Sequence, residues 1–344
     1  MAPENRQATY IEFPGNVPGK YEILYMLFGS KGKFISGDIL GSAVGISRAA
    51  VWKSIQALRA EGFPIEAARK KGYRIGPEHD FLIPQEIAGN LTTSTMGRKI
   101  FYTSRTGSTN DDAKSMADSA PDGTAVISEI QTKGKGRLGR KWESPGGGIF
   151  LSLILKPKIP PFRVPGLSLV VGYAVAKTLQ SDFGLEALVK WPNDVLVSNR
   201  KIAGILCEMR AELDRVSHVI VGTGLNANVS TSDMPEAVRE KSTSVAGSLG
   251  RPVDRSILIA KLLNRLEPCY LEFIECGLEC FLPEIQNMLA YMGSPVMIHN
   301  TSFGSGETQH GVLHGLDKEG RLILLTSSGA IRAFAAGDVS LRPR

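Results

Sequence analysis

The chain has 344 residues, more than one hydrophobic core usually serves, so two or three domains are expected. Its 42% hydrophobic and 22% charged content is that of a globular protein, and its longest apolar run, 164–179, is too short and too interrupted to cross a bilayer. The net charge of +6 sits in one place: residues 20–75 hold ten Lys/Arg against four Asp/Glu, leaving thirty of each elsewhere. A basic segment on an otherwise neutral chain is the electrostatic footprint of nucleic-acid binding. The opening M-A-P-E-N-R-Q lacks the basic-then-apolar layout of an export signal. The four cysteines (Cys207, Cys269, Cys276, Cys280) suit reduced thiols, so a cytoplasmic location with no membrane partner is expected. Cys276 and Cys280 lie one helical turn apart with no histidine near them, which predicts thiols and no zinc.

In chain order, residues 1–19 carry three prolines and no periodicity, and read as a mobile extension. A winged helix-turn-helix is predicted over 20–78. Residues 21–28 (Y-E-I-L-Y-M-L-F) form a first helix, Ser36 caps a second over 37–43, Gly45 turns the chain, and Ser47 caps a third reaching about residue 60. In the third helix Val51, Ile55 and Leu58 fall on one side, leaving Arg48, Lys53 and Gln56 to project elsewhere. Residues 63–75 then read as two strands around the basic turn Arg69-Lys70-Lys71. The DNA-binding candidates are therefore Ser47, Arg48 and Lys53 for the major groove, and Arg69, Lys70 and Lys71 for phosphate. The competing reading is a helical protein–protein module with a solvated basic turn. Charge localisation and the capped third helix favour DNA.

Residues 84–290 predict an α+β domain. Strand-like runs at 99–103, 124–130, 149–155, 185–190, 194–198, 201–208 and 217–224 alternate irregularly with helices at 109–118, 166–181, 254–275 and 278–289. Short polar turns such as Ser198-Asn199-Arg200 imply a mixed sheet rather than a doubly wound one. Residues 291–344 are strand-rich, with turns at Asp317-Lys318-Glu319-Gly320 and Ser327-Ser328-Gly329, and predict a small β-barrel. His310 and His314 there are expected to face solvent or a hairpin partner.

The most informative stretch is 133–142, K-G-K-G-R-L-G-R-K-W, followed by E-S-P-G-G-G. Glycines let backbone N–H groups approach a ligand, and lysine and arginine supply charge for phosphate or carboxylate, arginine as a planar fork. The run satisfies G-x-G-x-x-G, yet a strand-like run follows where a dinucleotide fold needs a helix, and no carboxylate sits at the required distance. No G-K-[S/T] ending and no H-R-D or D-F-G partner occurs. Alone, the string would read as a solvated basic hairpin.

Four further segments change that reading. Together with Ser108-Thr109-Asn110, Lys190-Trp191-Pro192-Asn193-Asp194, Lys201-Ile202-Ala203-Gly204-Ile205-Leu206 and Val221-Gly222-Thr223-Gly224-Leu225-Asn226, the run resembles the biotin protein ligases. It is similar to their G-R-G-R-x-G-R-x-W loop, and the other segments to their S-T-N, K-W-P-N-D, K-[L/I]-A-G-I-L and glycine-rich strand end, in the family's order. The matches span 99–228, with flanking similarity over nearly all of the chain after the N-terminal extension.

The resemblance implies a multidomain α+β protein: a class II synthetase-like ligase domain over 84–290 and an SH3-like β-barrel over 291–344, behind the winged helix-turn-helix of the family's regulatory class. It implies that ATP activates biotin to biotinyl-5′-adenylate with release of pyrophosphate. A lysine of biotin carboxyl carrier protein then attacks the anhydride and AMP leaves. Two anions must meet, so cations have to offset their repulsion. By motif position Lys201 is the implied catalytic lysine, touching the biotin carboxylate and the α-phosphate, and Arg137 holds the adenylate. Arg140 is implied to meet pyrophosphate and Trp142 to stack on adenine, although a tryptophan there equally packs into a core. Lys190, Asn193 and Asp194 form the ATP side, Asp194 with Mg2+; the plainer reading is a proline-led turn capped by Asn193 and Asp194. Ser108, Thr109 and Asn110 are implied to bind the ureido ring, to cap the next helix, or both. Gln131, Gly134, Lys135, Gly136, Gly204, Gly222 and Gly224 complete the implied biotin and adenylate pocket. The loop would also shield the anhydride from water.

The regulatory class further implies operator DNA and a homodimer formed through the central sheet when adenylate is bound. The alternatives are a ligase with no DNA target and a transcription factor whose ligase fold only senses a ligand. Lys201, Arg137, Asn193 and Asp194 argue against the latter. Lipoate ligases share the core fold, but the 133–142 run favours biotin. Position 135 departs from the family pattern, being lysine instead of arginine, which keeps the charge and loses the fork. Lys135→Arg is therefore expected to slow adenylate release in a chase experiment, and an unchanged rate would dispose of the idea.

Overall fold

A computed structural model describes residues 11–13, 19–60, 62–76, 80–212, 215–300, 308–335 and 339–343. Strand β1 (Ile11–Phe13) precedes the N-terminal unit, which comprises α1 (Gly19–Gly29), α2 (Gly37–Val44), α3 (Arg48–Ala60) and the hairpin of β2 (Ile65–Ala68) and β3 (Gly72–Ile75). The caps lie where the sequence put them: Ser36 Oγ accepts from Ile39 N at 3.1 Å and Ser47 Oγ from Ala50 N at 3.2 Å. Gly45 ends α2 in the left-handed region at φ 71°. Val51, Ile55 and Leu58 of α3 are fully buried, as are Ile23, Leu24 and Leu27 of α1.

The central sheet contains β4 (Ile100–Thr106), β5 (Thr124–Gln131), β6 (Ile149–Leu155), β7 (Ala187–Lys190), β8 (Asp194–Val197), β9 (Arg200–Glu212) and β10 (Arg215–Leu225). Its order is β1-β4-β5-β6-β10-β9-β8-β7, with β4 and β5 parallel and every other neighbour antiparallel. The helices are α4 (Pro84–Gly89), α5 (Thr109–Met116), α6 (Val164–Phe183), the short α7 (Glu236–Arg239) and α8 (Val245–Leu249), α9 (Arg255–Cys276) and α10 (Leu282–Asn287). Every residue of β6 is buried, because both sheet faces are covered. Val126, Ile154 and Ile220 pack under Ala113 and Ala117 of α5, whereas the alternate residues Ala125, Leu153 and Val221 join the large core that includes α6 and α9. The carboxy-terminal strands β11 (Pro295–Asn300), β12 (Thr308–Leu316), β13 (Leu322–Leu325), β14 (Ile331–Phe334) and β15 (Val339–Pro343) pair antiparallel in the order β14-β13-β12-β11-β15. His310 and His314 are exposed on β12. Among the described residues no helix is long and apolar enough to cross a membrane.

Two expectations need correction. Residues 11–13, read as part of the extension, are an edge strand whose Glu12 carboxylate lies 2.7 Å from Lys99 Nζ; three residues are too few to show a period. Residues 1–10 and 14–18 of the extension lie outside the described residues, and Gly19 begins α1. The helix read over 278–289 is a 3-10 turn, Leu278–Phe281, followed by α10.

One buried cation joins these parts. Arg255, at the start of α9, is fully buried; Nη1 donates to Gly148 O at 2.6 Å, and Nη2 to Glu129 Oε2 at 2.7 Å and to Asp80 O. Its Nε lies 2.8 Å from Asp80 Oδ1. Glu129 Oε1 accepts from Leu82 N at 2.7 Å and Tyr102 Oη at 3.1 Å, and burial together with Glu129 pushes the Tyr102 hydroxyl pKa well up. Removing one partner of a buried pair strands the others' charge. Arg255→Leu is expected to cost about 3–5 kcal/mol of folding stability, seen as a lower urea midpoint; an unchanged midpoint would show that the network carries no stability.

Candidate active site

The 133–142 segment leaves β5 and returns toward β6 as a closed hairpin. Trp142 N donates to Gly134 O at 2.9 Å, and Gly136 N to Arg140 O at 2.7 Å. The tip is a single 3-10 turn, Arg137–Gly139, with Leu138 and Gly139 at φ 56° and 71°. Gly134 has no room for a side chain, since a Cβ there would lie 2.5 Å from Trp142 O. Gly147 O accepts from Asn228 N at 2.7 Å, which pins the second glycine cluster to the segment after β10.

Below the hairpin lies a cleft of about 1080 Å³, counting open solvent at its mouth, and it gathers every ligand residue named from the sequence except Gly134. Its wall carries six cationic side chains, Lys135, Arg137, Arg140, Lys141, Lys190 and Lys201, against one carboxylate, Asp194. Such a site attracts anions.

The Trp142 indole forms part of the wall, lying over Gly204 of β9 and its register partner Gly224 of β10. A Cβ at Gly224 would stand 2.5 Å from Trp142 Cε2, and one at Gly204 2.9 Å from Cζ3. The buried indole Nε1–H has no acceptor, an unspent donor inside the cleft. Lys201 Nζ sits 5.1 Å from the indole centroid and 2.6 Å from Asp194 Oδ1. The Lys201 backbone is fixed on both sides: its N donates to Lys241 O at 2.8 Å and its O accepts from Thr243 N at 2.9 Å.

The K-W-P-N-D turn joins β7 to β8 through a cis Trp191–Pro192 peptide. Trp191 is buried, and its Nε1 donates to Gly320 O at 2.8 Å, anchoring the turn to the carboxy-terminal sheet's turn. Asn193 Nδ2 donates to Ile205 O at 2.8 Å, while its Oδ1 accepts from Arg137 Nη1 at 3.2 Å. Asn193 thus ties the turn to β9, rather than capping the turn itself, and also meets the loop arginine. The Asp194 carboxylate pairs with Lys201.

Ser108, Thr109 and Asn110 are buried at the start of α5. Ser108 occupies the N-cap position but makes no side-chain cap bond, so capping is not its role. Thr109 N and Oγ1 both donate to Gln131 Oε1, at 2.9 and 3.1 Å, and Gln131 Nε2 donates to Ser144 Oγ at 3.0 Å. Ser152 Oγ lies 2.8 Å from Thr109 Oγ1 and 2.6 Å from Asn110 Oδ1, and Asn110 Nδ2 donates to Glu208 Oε2 at 2.7 Å. The Asn110 carboxamide fills the space above Gly222, where a Cβ would overlap it. Ser144, Ser152 and Glu208 were missed by sequence reasoning; the one signal was a serine in the apolar run I-F-L-S-L-I-L. Lys135 turns outward to Asp111 Oδ1, 2.5 Å away, on the first turn of α5. Burial pushes the Cys207 thiol on β9 up to about 12, away from the thiolate form.

The DNA-binding candidates form no part of the cleft. Ser47 and, on α3, Arg48 and Lys53 are exposed, as are Arg69, Lys70 and Lys71 between β2 and β3. Arg48 Nη1 lies 3.8 Å from Asp38 Oδ2. At the exposed end of α9, Cys276 and Cys280 are joined by the Glu272 carboxylate, their ligand atoms within 4.8 Å, a grouping the sequence reading did not place.

Comparison with known proteins adds three family matches: the Biotin/lipoate A/B protein ligase family over 102–226, an HTH domain over 20–74 and the Biotin protein ligase C terminal domain over 300–342. The Bifunctional ligase/repressor BirA of Bacillus spizizenii is 37% identical over 321 residues, 92% of this chain and 97% of that protein. The chain belongs to the biotin protein ligase family. Another member, the Bifunctional ligase/repressor BirA of Escherichia coli, is 32% identical over 91% of this chain and 94% of its own. The biotin protein ligase of Aquifex aeolicus, solved in complex with biotin and ATP, superposes with a TM-score of 0.63 at 30% identity, covering 71% of this chain and 99% of that one. In this member of the family the floor is set by the absence of side chains at Gly204 and Gly224. Gly224→Ala is expected to force the indole off the sheet at a cost of about 1–3 kcal/mol. Among the three indole N–H signals of 15N-labelled protein, that of Trp142 should move most; an unmoved signal would show that the floor tolerates the methyl.

Proposed function

We propose that the chain is an ATP-dependent biotin–protein ligase that also represses transcription through its N-terminal unit. The observation that carries the ligase reading is Lys201, fixed at both its backbone N and O and aimed into a cleft of six cations and one carboxylate. Biotin enters with its ureido ring against Ser108, Thr109 and Asn110, and its carboxylate displaces Asp194 from the Lys201 ammonium. The α-phosphate of ATP meets Lys201 and Arg137 from the hairpin side. The carboxylate oxygen attacks phosphorus, pyrophosphate leaves toward Arg140, and biotinyl-5′-adenylate remains under the hairpin with Trp142 against it. A carrier-protein lysine then attacks the acyl carbon and AMP departs. Lysine and arginine stabilise charge that develops at phosphorus, an effect worth about 100- to 1000-fold per donor.

Magnesium fits this donor set in part. Asp194 is the one carboxylate on the described wall, and its Oδ1 lies on Lys201, so phosphate oxygens and water would complete the shell. Bound there, the ion would offset phosphate charge. The ligase requires no zinc in this reading.

We assign 20–78 to DNA binding, 84–290 to catalysis and 291–344 to an SH3-like domain. The repressor half rests on the match of 20–74 to an HTH domain and on the exposed cations of α3 and the wing, with operator DNA as partner. The biotin carboxyl carrier protein is the acceptor, and the adenylate-bound chain pairs through its central sheet. The test is ATP-dependent transfer of biotin to a carrier domain. Lys201→Ala is expected to lower the rate about 100- to 1000-fold with the urea midpoint retained. Transfer at the wild-type rate would overturn the assignment of Lys201, and wild-type protein that binds biotin but transfers none would overturn the ligase reading.

A further inference from the structure

Trp52 on α3 is 55% exposed, although tryptophan is among the most costly side chains to leave in water. Val51, Ile55 and Leu58 face the interior of the unit, and Trp52 stands on the flank of the helix, about a quarter-turn round from them. Arg48, Trp52 and Gln56 are spaced four residues apart and form one stripe, with exposed Lys53 beside it. The same unit exposes Arg69, Lys70 and Lys71 at the wing. An apolar ring set among cations suits neither an apolar protein groove nor open solvent. It suits a polyanion that offers an isolated apolar point. On the floor of a DNA major groove that point is the thymine C5-methyl, the one apolar group among the base edges.

We infer that Trp52 reads thymine, its indole packing on a C5-methyl while Arg48 and Lys53 hold the neighbouring phosphates. This rests on the DNA-binding half of the proposed function and adds a sequence-determining side chain to it.

The experiment uses the full chain with biotin and ATP, and a pool of randomised DNA duplexes. Wild-type protein should enrich a site containing thymine, and replacing those thymines by uracil, which removes only the methyl, should weaken binding about fourfold per contact. Trp52→Ala should bind more weakly and be indifferent to the methyl, while Trp52→Phe, which keeps a ring, should restore part of the dependence. Circular dichroism melting of each variant separates loss of contact from loss of fold. If Trp52→Ala selects the same site with the same methyl dependence, the inference fails and the DNA reading stands. If Trp52→Ala changes self-association and leaves DNA affinity intact, the stripe meets a second copy of the chain, and the inference also fails. If wild-type protein enriches no sequence, the DNA reading itself falls.

Discussion

A guanidinium sealed from water is tolerable only where carboxylates and carbonyls supply nearly all that solvent would have given it. Arg255 meets that condition by drawing together Asp80 from the segment entering the ligase domain, Glu129 from β5 and Gly148 at the start of β6. Glu129 and Gly148 bracket the cationic hairpin, which departs after Gln131 and returns before Ile149, and Asp80 ties both to the domain's entry. Asn228 extends the bracket, taking Asp80 Oδ2 at 2.6 Å through its side chain and Gly147 O through its backbone. The roots of a hairpin whose tip is exposed are thus fixed by a charge with nowhere else to go. A cation at a helix start also opposes the helix dipole, so the position owes nothing to helix preference and everything to its two anionic partners.

With the roots fixed, the floor is defined by subtraction. Gly204, Gly222 and Gly224 face the cleft without Cβ atoms, and the vacated space is taken by Trp142 and Asn110, each reaching over from another element. Large rigid side chains are thereby placed by the sheet rather than by their own segments. The second layer, Ser144, Ser152, Gln131 and Glu208, holds the polar ones by hydrogen bonds and leaves little freedom to the cleft's inner end.

Much of this was legible in the sequence. Element order, the mixed sheet, both serine caps, the αL glycine and nearly all cleft residues follow from period, turn chemistry and five ordered motifs. What stayed hidden depends on contacts distant along the chain. Nothing local marks Arg255 as buried, since a basic residue after Asp254 reads as an ordinary solvated first turn. Ser152 and Glu208 gain meaning only from Asn110, 42 and 98 residues away. The failure of Ser108 to cap α5 was hidden too, since a serine before a helical run is the ordinary cap signal. β1 was unreadable for a simpler reason, three residues being shorter than any usable period.

The Lys201–Asp194 pair shows how such a cleft stays stable before anions arrive. Six like charges around one cavity repel, and the single carboxylate is placed on Lys201, the lysine whose backbone is fixed at both N and O. Both side chains keep some solvent, Lys201 at 33% and Asp194 at 19% exposed, so the pair is worth far less than a dry one and exchanges readily for a better anion. Lys135 differs: on the hairpin at the rim and half-exposed, it is paired with Asp111 of α5 rather than with a residue of the floor. At Lys135 the bond runs to a rim carboxylate, whereas Arg137 reaches Asn193 inside the cleft, so the two cations tie the hairpin to different elements.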